Sequence, residues 1–173
     1  MPPNVVFVIA PERFRDEELL VPKRILEQHG ATVTVASTRG GIATGMGGAE
    51  VGVDCTVHQA APRSCDALAV AGGAGAPAHL WDSEPLRVLA RAVYAANRPV
   101  GAICLSSPVL ARANLLAGKR ATTFPSDRAI AELKRGGATF VEEAVVLDGT
   151  IVTASGPEAA AAFGETLARL LDP

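Results

Sequence analysis

The sequence has few aromatic residues, few cysteines and no long apolar or basic runs, and each shortage excludes a class of protein. Aromatic residues make up 4% of the chain, so its core is predicted to consist mainly of Ala, Val and Leu. The apolar runs are as long as strands and far shorter than the ~20 residues that cross a membrane. A net charge of −2 without runs of Lys or Arg argues against nucleic acid or an anionic membrane surface as a partner.

Cysteine and histidine are too scattered to predict a disulfide framework or a metal site. The three residues of each type are Cys55, Cys65, Cys104, His29, His58 and His79. An odd number of cysteines without paired spacing indicates free thiols in a reducing cytoplasm. The histidines lack the spacing of metal ligands, so we expect no metal and no cofactor. Residues 1–7 lack the basic region of a signal peptide, which also favours a cytoplasmic location.

Strand-like and helix-like apolar patterns alternate from one end of the chain to the other. Strands are predicted at residues 4–10, 32–36, 66–71 and 99–103 and near Ala121, and helices at residues 16–29, 86–96, 106–113 and 126–136 and from Pro157 onwards. These repeated β-α units predict one α/β domain over residues 1–173, with a mostly parallel sheet and helices on both faces. Its ligand site is expected at the carboxyl ends of the strands.

Two segments depart from this alternation. Residues 40–53 are rich in glycine and lack helical periodicity, which predicts a β-ribbon outside the main sheet. Asp148 and Gly149 lie between two β-branched runs, and this pattern predicts a hairpin over residues 145–152.

Cys104 is the strongest candidate for chemistry because it separates a buried strand from a helix. Such a turn presents a nucleophile at the carboxyl edge of the sheet, where the free N–H groups of the helix favour the thiolate. The sequence therefore predicts a reactive thiol with a lowered pKa. The alternative is a small buried side chain, which is the usual state of a free cysteine.

Glu18 and the pair Gly72-Gly73 are weaker candidates. Pro22 removes the backbone hydrogen bond to the carbonyl of Glu18 and is expected to weaken or kink the helix there. Acidic residues in the first turn of a helix are usually solvated, and the residues alone favour that interpretation of Glu18. Gly72 and Gly73 follow a strand, and their amides suit either an oxyanion-binding turn or a simple tight turn.

Taken together, these segments resemble the ThiJ/PfpI superfamily of DJ-one-like proteins. The resemblance covers nearly the whole chain, through residues 16–22 (DEELLVP), 66–73 (DALAVAGG), 102–104 (AIC), 115–123, 146–149 and 155–157. It implies a flavodoxin-like three-layer sandwich that forms a homodimer or higher oligomer. The site residues that it implies are the nucleophile Cys104, its commonly protonated partner Glu18, and the oxyanion-binding amides of Gly73 and Leu105.

Departures from the superfamily pattern bear on the activity. Protease-like members have a histidine directly after the cysteine, where this chain has Leu105, and another branch has a histidine at the position of Phe124. The resemblance therefore disfavours peptidase activity. Ser106 and Ser107 replace the usual Gly-Pro, and their hydroxyls are expected to contact the substrate, or in one case to cap the following helix.

Three functions remain open. The first is glyoxalase- or deglycase-like action on a small carbonyl substrate, in which Cys104 adds to the aldehyde and Glu18 transfers the proton. The second is a redox-sensing stress protein or holdase, in which Cys104 is oxidised to a sulfinate held by protonated Glu18. The third is hydrolysis of amides, isonitriles or peptides.

Two further expectations concern the pair and its assembly. Glu18 is expected within hydrogen-bond reach of the Cys104 sulfur and at least partly protonated, because two like charges do not persist side by side in a semi-buried site. A homodimer at least is expected, through the ribbon of residues 40–53 and the small residues 159–162 of the last helix.

Overall fold

Short segments rich in Val, Ile and Ala form the centre of a seven-stranded sheet in the computed structural model, which describes residues 1–172. The strands are β1 Asn4–Val8, β2 Glu12–Phe14, β3 Thr32–Ser37, β4 Gly41–Gly45, β5 Glu50–Val53, β6 Cys55–Thr56, β7 Ala67–Val70, β8 Val100–Ile103, β9 Arg120–Ala121, β10 Thr139–Phe140, β11 Val145–Asp148 and β12 Ile151–Ala154. The order in the main sheet is β11-β12-β8-β7-β1-β3-β6. Neighbouring strands are parallel except for the hairpin of β11 and β12, so the predicted mostly parallel sheet is confirmed.

Helices surround this sheet. They are α1 Asp16–Gln28, α2 Ala76–His79, α3 Glu84–Ala95, α4 Ser107–Arg112, α5 Asp127–Arg135 and α6 Ala160–Leu171. Helices α1 and α6 pack against each other, and α3 packs against β7 and β8. Helix α1 continues through the buried Pro22 to its end at Gln28. In the described part of the chain, no helix combines the length and apolar character that would let it cross a membrane.

The smaller elements follow their local sequence signals. The predicted ribbon is confirmed as the antiparallel pair β4 and β5, which β2 extends on the side of β4. The predicted hairpin is confirmed as β11 and β12, with Asp148 paired to Ile151. The Ser126 side chain caps α5 by accepting a hydrogen bond from the N–H of Ala129. A pairing that the sequence did not predict joins β9 to β10 in a separate two-stranded sheet.

The three central strands bring the candidate site residues to one edge. Strands β1, β7 and β8 are neighbours in the sheet and run parallel, so their carboxyl ends meet. Beyond β1 the chain passes through β2 into the first turn of α1, which contains Glu18. Gly72 follows β7, and Cys104 directly follows β8. The expected position of the site at this edge therefore results from the strand order.

Candidate active site

Cys104 occupies a strained turn at the end of β8. Its φ is +60°, in the left-handed region that residues with a side chain rarely adopt, and such strain is typical of functional positions. A 3-10 turn over Cys104–Ser106 then leads into α4. The carbonyl oxygen of Cys104 accepts hydrogen bonds from the Thr123 hydroxyl at 2.9 Å and from the Phe124 N–H at 3.3 Å. Contacts from another part of the chain thus hold the turn in its strained conformation.

Glu18 lies in the interior, although the acidic residue before it is at the surface. Its side chain is 0% exposed, whereas the adjacent Glu17 is exposed. The interpretation of Glu18 as part of a solvated acidic cluster is therefore wrong. Its Oε1 accepts a hydrogen bond from the Gly72 N–H at 3.1 Å, while Oε2 is buried without a hydrogen-bond partner among residues 1–172. Burying a charged carboxyl group with only one of its two oxygens hydrogen-bonded costs free energy, and protonation of the group lowers that cost.

Gly72 makes the contact between Glu18 and Cys104 sterically feasible. A Cβ at Gly72 would lie 2.8 Å from Glu18 Oε1, 2.8 Å from Cys104 Cβ and 2.7 Å from the Ile103 carbonyl oxygen. These distances are too short for any side chain, so residue 72 must be glycine for the two groups to meet. Its N–H is already bonded to Glu18, which leaves the Gly73 amide as the free member of the predicted pair.

Burial governs the protonation of Glu18. Removal from water raises the pKa of this carboxyl to about 7, although the neighbouring Cys104 thiol and the hydrogen bond from the Gly72 amide act in the opposite direction. Near neutral pH the group is therefore divided between its protonated and ionised forms. The raised pKa agrees with the expectation that Glu18 is partly protonated, and the hydrogen bond to the Cys104 sulfur stays a prediction.

The thiol behaves differently from the sequence-based expectation. Burial raises the pKa of Cys104 above its ordinary value, and the negative charge of Glu18 raises it further. The N–H groups of Leu105 and Gly73 interact with the sulfur and lower the pKa, but by less. The prediction of a lowered pKa is therefore wrong. The helix α4 has only six residues and begins three positions after Cys104, beyond the range in which a helix terminus acts strongly.

The pair can act as a nucleophile and its base. With the pKa of Glu18 at about 7 and that of Cys104 raised, the first proton to leave comes from the carboxyl. The resulting carboxylate lies beside the thiol and is able to take its proton at the moment of attack. A base whose pKa lies near the working pH is the most effective for such a transfer.

This combination of fold and site agrees with the comparison to known proteins. Residues 3–170 match the model of the DJ-1/PfpI family. The chain belongs to the DJ-1/PfpI family. An uncharacterised protein of Methanocaldococcus jannaschii is 43% identical over 161 residues, which cover 93% of this chain and 78% of that protein. A deglycase of Pyrococcus horikoshii is 32% identical over 168 residues, covering 97% of this chain and 99% of the relative.

Solved structures of the DJ-1/PfpI family have the same fold. The crystal structure of a ThiJ/PfpI domain protein from Brachyspira murdochii superposes with a TM-score of 0.94 at 29% sequence identity, covering 99% of this chain and 97% of that chain. The resemblance stated from the sequence is therefore confirmed, together with its flavodoxin-like sandwich.

The two serines after the cysteine depart from the DJ-1/PfpI pattern, and both are fully buried. The Ser106 hydroxyl donates to the Ala71 carbonyl oxygen at 2.6 Å, and the Ser107 hydroxyl donates to that of Ala102 at 3.5 Å. In residues 1–172 no side-chain hydrogen bond caps α4 at Ser106, so the expectation of a serine cap is wrong. The hydroxyls face the interior and stabilise the turn, contrary to the expectation that they contact the substrate.

The histidines lie elsewhere. His29 pairs with Glu165 and His79 with Glu12, each at 3.2 Å between Nε2 and a carboxylate oxygen, and His58 is exposed at the surface. None of the hydrogen bonds and ion pairs found in the described chain joins a histidine to Cys104. Within the same residues, no group of three or more His, Cys, Asp or Glu side chains is arranged to hold a metal ion.

Two features beside the site were missed from the sequence. Trp81 is buried, and its indole N–H donates to the Leu105 carbonyl oxygen at 2.6 Å. A groove of about 390 Å³ lies next to the turn, since Thr123 and Phe124 both line it and hold the Cys104 carbonyl oxygen. Local patterns gave no signal for either feature, because both depend on segments that are distant in sequence.

Proposed function

We propose that this chain is a cysteine-dependent enzyme that acts on small reactive carbonyl compounds in the manner of a glyoxalase or deglycase. Cys104 is the proposed nucleophile and Glu18 the group that transfers protons. The observation that carries the proposal is the position of these two buried groups, since Glu18 Oε1 and Cys104 Cβ both lie 2.8 Å from the point that a Gly72 Cβ would occupy, with the pKa of Glu18 raised to about 7. The deglycase names of several relatives, including that of Pyrococcus horikoshii, support the same class of substrate.

The first proposed step is addition of the thiol to an aldehyde. The Glu18 carboxylate takes the proton of Cys104 while the sulfur forms a bond to the carbonyl carbon, whose oxygen receives the displaced electron pair. The amides of Gly73 and Leu105, which interact with the sulfur, are the proposed donors to this oxygen. Return of the proton from Glu18 to the oxygen completes a hemithioacetal.

The second proposed step applies to 2-oxoaldehydes such as methylglyoxal. The Glu18 carboxylate removes the hydrogen of the former aldehyde carbon as a proton, and the electron pair left behind forms an enediol as the neighbouring ketone oxygen gains a proton. Glu18 then returns its proton to the neighbouring carbon, while the hydroxyl on the first carbon loses its proton and becomes the thioester carbonyl. The product is a thioester of a 2-hydroxy acid on Cys104, which water hydrolyses to release the acid and the thiol. The groove beside Phe124 offers space for the rest of the substrate.

The test is turnover of methylglyoxal by matched variants. We expect Cys104→Ala to lower kcat/KM by about 10³-fold or more, and Glu18→Gln by about 10²-fold or more, because each removes one partner of the reacting pair. Cys55→Ala is the matched control, since Cys55 is a half-buried thiol on β6, outside the site. Turnover that survives in Cys104→Ala would refute the proposal.

A redox-sensing protein is the second candidate, and the unpartnered Glu18 Oε2 favours it. When protonated, this oxygen has a hydrogen to donate to an oxidised sulfur. Two equivalents of hydrogen peroxide would each transfer one oxygen atom to Cys104 and release water, ending at the sulfinate. Mass spectrometry after peroxide treatment should then find two added oxygen atoms at Cys104 in the wild type, and a mixture of higher oxidation states in Glu18→Ala. A sulfinate equally stable in both proteins would exclude this role for Glu18.

The proposed enzyme is a homodimer at least. Ile42 on β4, Met46 in the ribbon and Leu20 on α1 are large apolar side chains that are exposed by 68%, 47% and 46%, and a second copy would remove them from water. We expect Ile42→Glu to weaken the dimer and Val88→Glu, an exposed position on α3, to leave it intact. Light scattering that reports a single 17.7 kDa chain for the wild type at micromolar concentration would contradict the dimer.

A further inference from the structure

The first turn of α1, which carries Glu18, lacks two of the hydrogen bonds that usually stabilise such a turn. Among residues 1–172, no side chain caps the helix at Arg15. Pro22 has no N–H, so it does not donate to the carbonyl oxygen of Glu18 as another residue would. The position of this turn therefore depends on contacts from other segments of the chain.

The ribbon turn, residues 46–49 between β4 and β5, holds the first residue of α1. The N–H groups of Gly47 and Ala49 donate to separate oxygens of the Asp16 carboxylate, each at 3.2 Å. A Cβ at Gly47 would lie 2.5 Å from Asp16 Oδ2, and a Cβ at Gly45 would overlap Asp16 Oδ1. These two glycines therefore leave the space in which the carboxylate reaches both amides.

One peptide group joins the ribbon turn to the loop after β7. It links Phe14 to Arg15, and its carbonyl oxygen accepts a hydrogen bond from the Met46 N–H at 2.8 Å. Its N–H points the opposite way, as in any trans peptide, and donates to the Gly72 carbonyl oxygen at 2.9 Å. The N–H of Gly72 donates in turn to Glu18 Oε1 at 3.1 Å. The segment that leads to Glu18 is therefore held between the ribbon turn and Gly72.

We infer that Asp16 is a positioning residue for Glu18: its carboxylate ties the ribbon turn to the first turn of α1 and so holds Glu18 against the Gly72 N–H. This inference rests on the proposed role of Glu18 in proton transfer. Without the hydrogen bonds from Gly47 and Ala49, the first turn of α1 is free to move away from Gly72, and water reaches the Glu18 carboxyl.

The protonation of Glu18 reports on such a movement. Burial is the largest influence on the pKa of this carboxyl, and smaller influences come from Cys104, Gly72, Arg15 and Glu17. Contact with water therefore lowers the pKa of Glu18 towards its ordinary value, and a larger part of the group is ionised at pH 6.

The test is the ratio of the rates at which iodoacetamide alkylates Cys104 at pH 8 and at pH 6, measured by mass spectrometry of the Cys104 peptide. In the wild type we expect a ratio of about ten, because ionised Glu18 accepts the thiol proton. Asp16→Ala removes both acceptor oxygens, and we expect a ratio of about two, because about half of Glu18 is then ionised at pH 6. Gly47→Ala keeps the charge of Asp16 but displaces its carboxylate, and we expect the same fall.

Each variant has a matched control. Asp66→Ala removes a carboxylate that accepts a hydrogen bond from the Asn4 N–H at 2.8 Å, at the amino edge of the sheet. Gly52→Ala adds a methyl group elsewhere in the ribbon, where a Cβ meets no atom within 4 Å. We expect both controls to keep a ratio of about ten. Thermal unfolding of all four variants separates the two roles, since a merely structural Asp16 would lower the melting temperature and leave the ratio unchanged.

Alkylation does not require carbonyl turnover, so the inference and the proposed function can fail separately. A ratio of about ten in Asp16→Ala and Gly47→Ala would overturn the inference. A lowered ratio in Asp16→Ala alone would also overturn it, because the lost charge and not the lost contact would then act on Glu18. If Asp16→Ala does not fold, the ratio in Gly47→Ala decides. A ratio near one in the wild type would refute the proposed role of Glu18, and this inference with it.

Discussion

The thiols of Cys65 and Cys104 lie next to neighbouring strands of the same sheet, and both are buried. Cys65 precedes β7 at the amino edge, has an ordinary φ of −110°, and its sulfur donates to the Ala67 carbonyl oxygen at 3.1 Å. Burial raises its pKa to about 11. Cys104 follows β8 at the carboxyl edge, has a φ of +60°, and faces the carboxyl group of Glu18.

Burial alone does not separate these two thiols, although only Cys104 is proposed to react. Burial raises the pKa of both thiols, so neither is activated by a preformed thiolate. The difference is the acceptor of the thiol proton. A backbone carbonyl next to Cys65 accepts a hydrogen bond but cannot take the proton, whereas a carboxylate at Glu18 can. The carboxyl edge of a parallel sheet is where such a partner can be supplied by another loop.

Closing the space between the two groups of the Cys104 site should have the largest effect. Gly72→Ala would place a methyl group 2.8 Å from both Glu18 Oε1 and Cys104 Cβ. We expect kcat/KM for methylglyoxal to fall about 10²-fold or more, because displacements of this size misplace reacting groups. Gly52→Ala is the control, since a Cβ there meets no atom within 4 Å. Full activity in Gly72→Ala would show that the close contact is dispensable.

Removing the titrating group should change how stability depends on pH. The folded protein binds the Glu18 proton more tightly than the unfolded chain does, since the pKa rises from 4.5 to about 7 on folding. This contribution to stability is therefore complete below pH 4.5 and is lost as the pH rises through about 7. It corresponds to about 3 kcal/mol.

Urea unfolding at pH 4.5 and pH 8.5 measures this effect. We expect Glu18→Gln, which keeps the shape but cannot ionise, to gain about 3 kcal/mol relative to the wild type between the two pH values. Glu17→Gln, at an exposed position, is the control and should show no comparable gain. The same pH dependence in wild type and Glu18→Gln would mean that another group is responsible.

The rates of alkylation sharpen the comparison between the two thiols. We expect the rate for Cys104 to rise about tenfold from pH 6 to pH 8, as Glu18 becomes ionised and able to accept the thiol proton. Glu18→Gln should lack this rise. Cys65, with a pKa of about 11 and no exposed surface, should stay unlabelled in the folded protein. Mass spectrometry that finds Cys65 labelled as fast as Cys104 would remove the distinction.

The smallest effect on activity is expected at the other thiol. Cys65→Ala removes a buried sulfur at the amino edge of the sheet, whereas Glu18 and Cys104 lie at the carboxyl edge. We therefore expect kcat/KM to stay within about twofold of the wild type. Its cost appears in stability, where we expect a loss of about 1–2 kcal/mol from the lost packing. Turnover and urea unfolding of the same sample separate the two effects. A large loss of turnover without a loss of stability would contradict the comparison.

Much of the fold was predictable because its signals are local. The alternation of strands and helices and the hairpin at Asp148-Gly149 each depend on a few neighbouring residues. The turn at Cys104 also followed from its position between an apolar strand and a proline-containing helix. The pairing of β9 with β10 was not predictable, because two residues in each strand carry too weak a pattern.

The candidate site was predictable in its members but not in its chemistry. The family resemblance identified Glu18 and Cys104 as site residues, whereas the position of Glu18 among acidic residues in the first turn of a helix predicted a solvated side chain. The direction of the Cys104 pKa was wrong because burial, which depends on the whole fold, outweighs the short helix beside it. The sequence did not predict that the Ser106 and Ser107 hydroxyls point inward. Their hydrogen-bond acceptors are backbone carbonyl oxygens, one just after β7 and one on β8, which the hydroxyls reach only once the chain has folded.

The sequence by itself determined where each strand ends and which residue types stand at those ends. Hydrophobic periodicity, glycine and proline act over a few residues, and they are sufficient to define the turn at Cys104 and the strand before Gly72. The tertiary structure decided how deeply the two reacting groups are buried, which of them loses its proton first, and that Trp81 reaches Leu105. Those properties depend on desolvation and on contacts between distant segments, which exist only once the chain has folded.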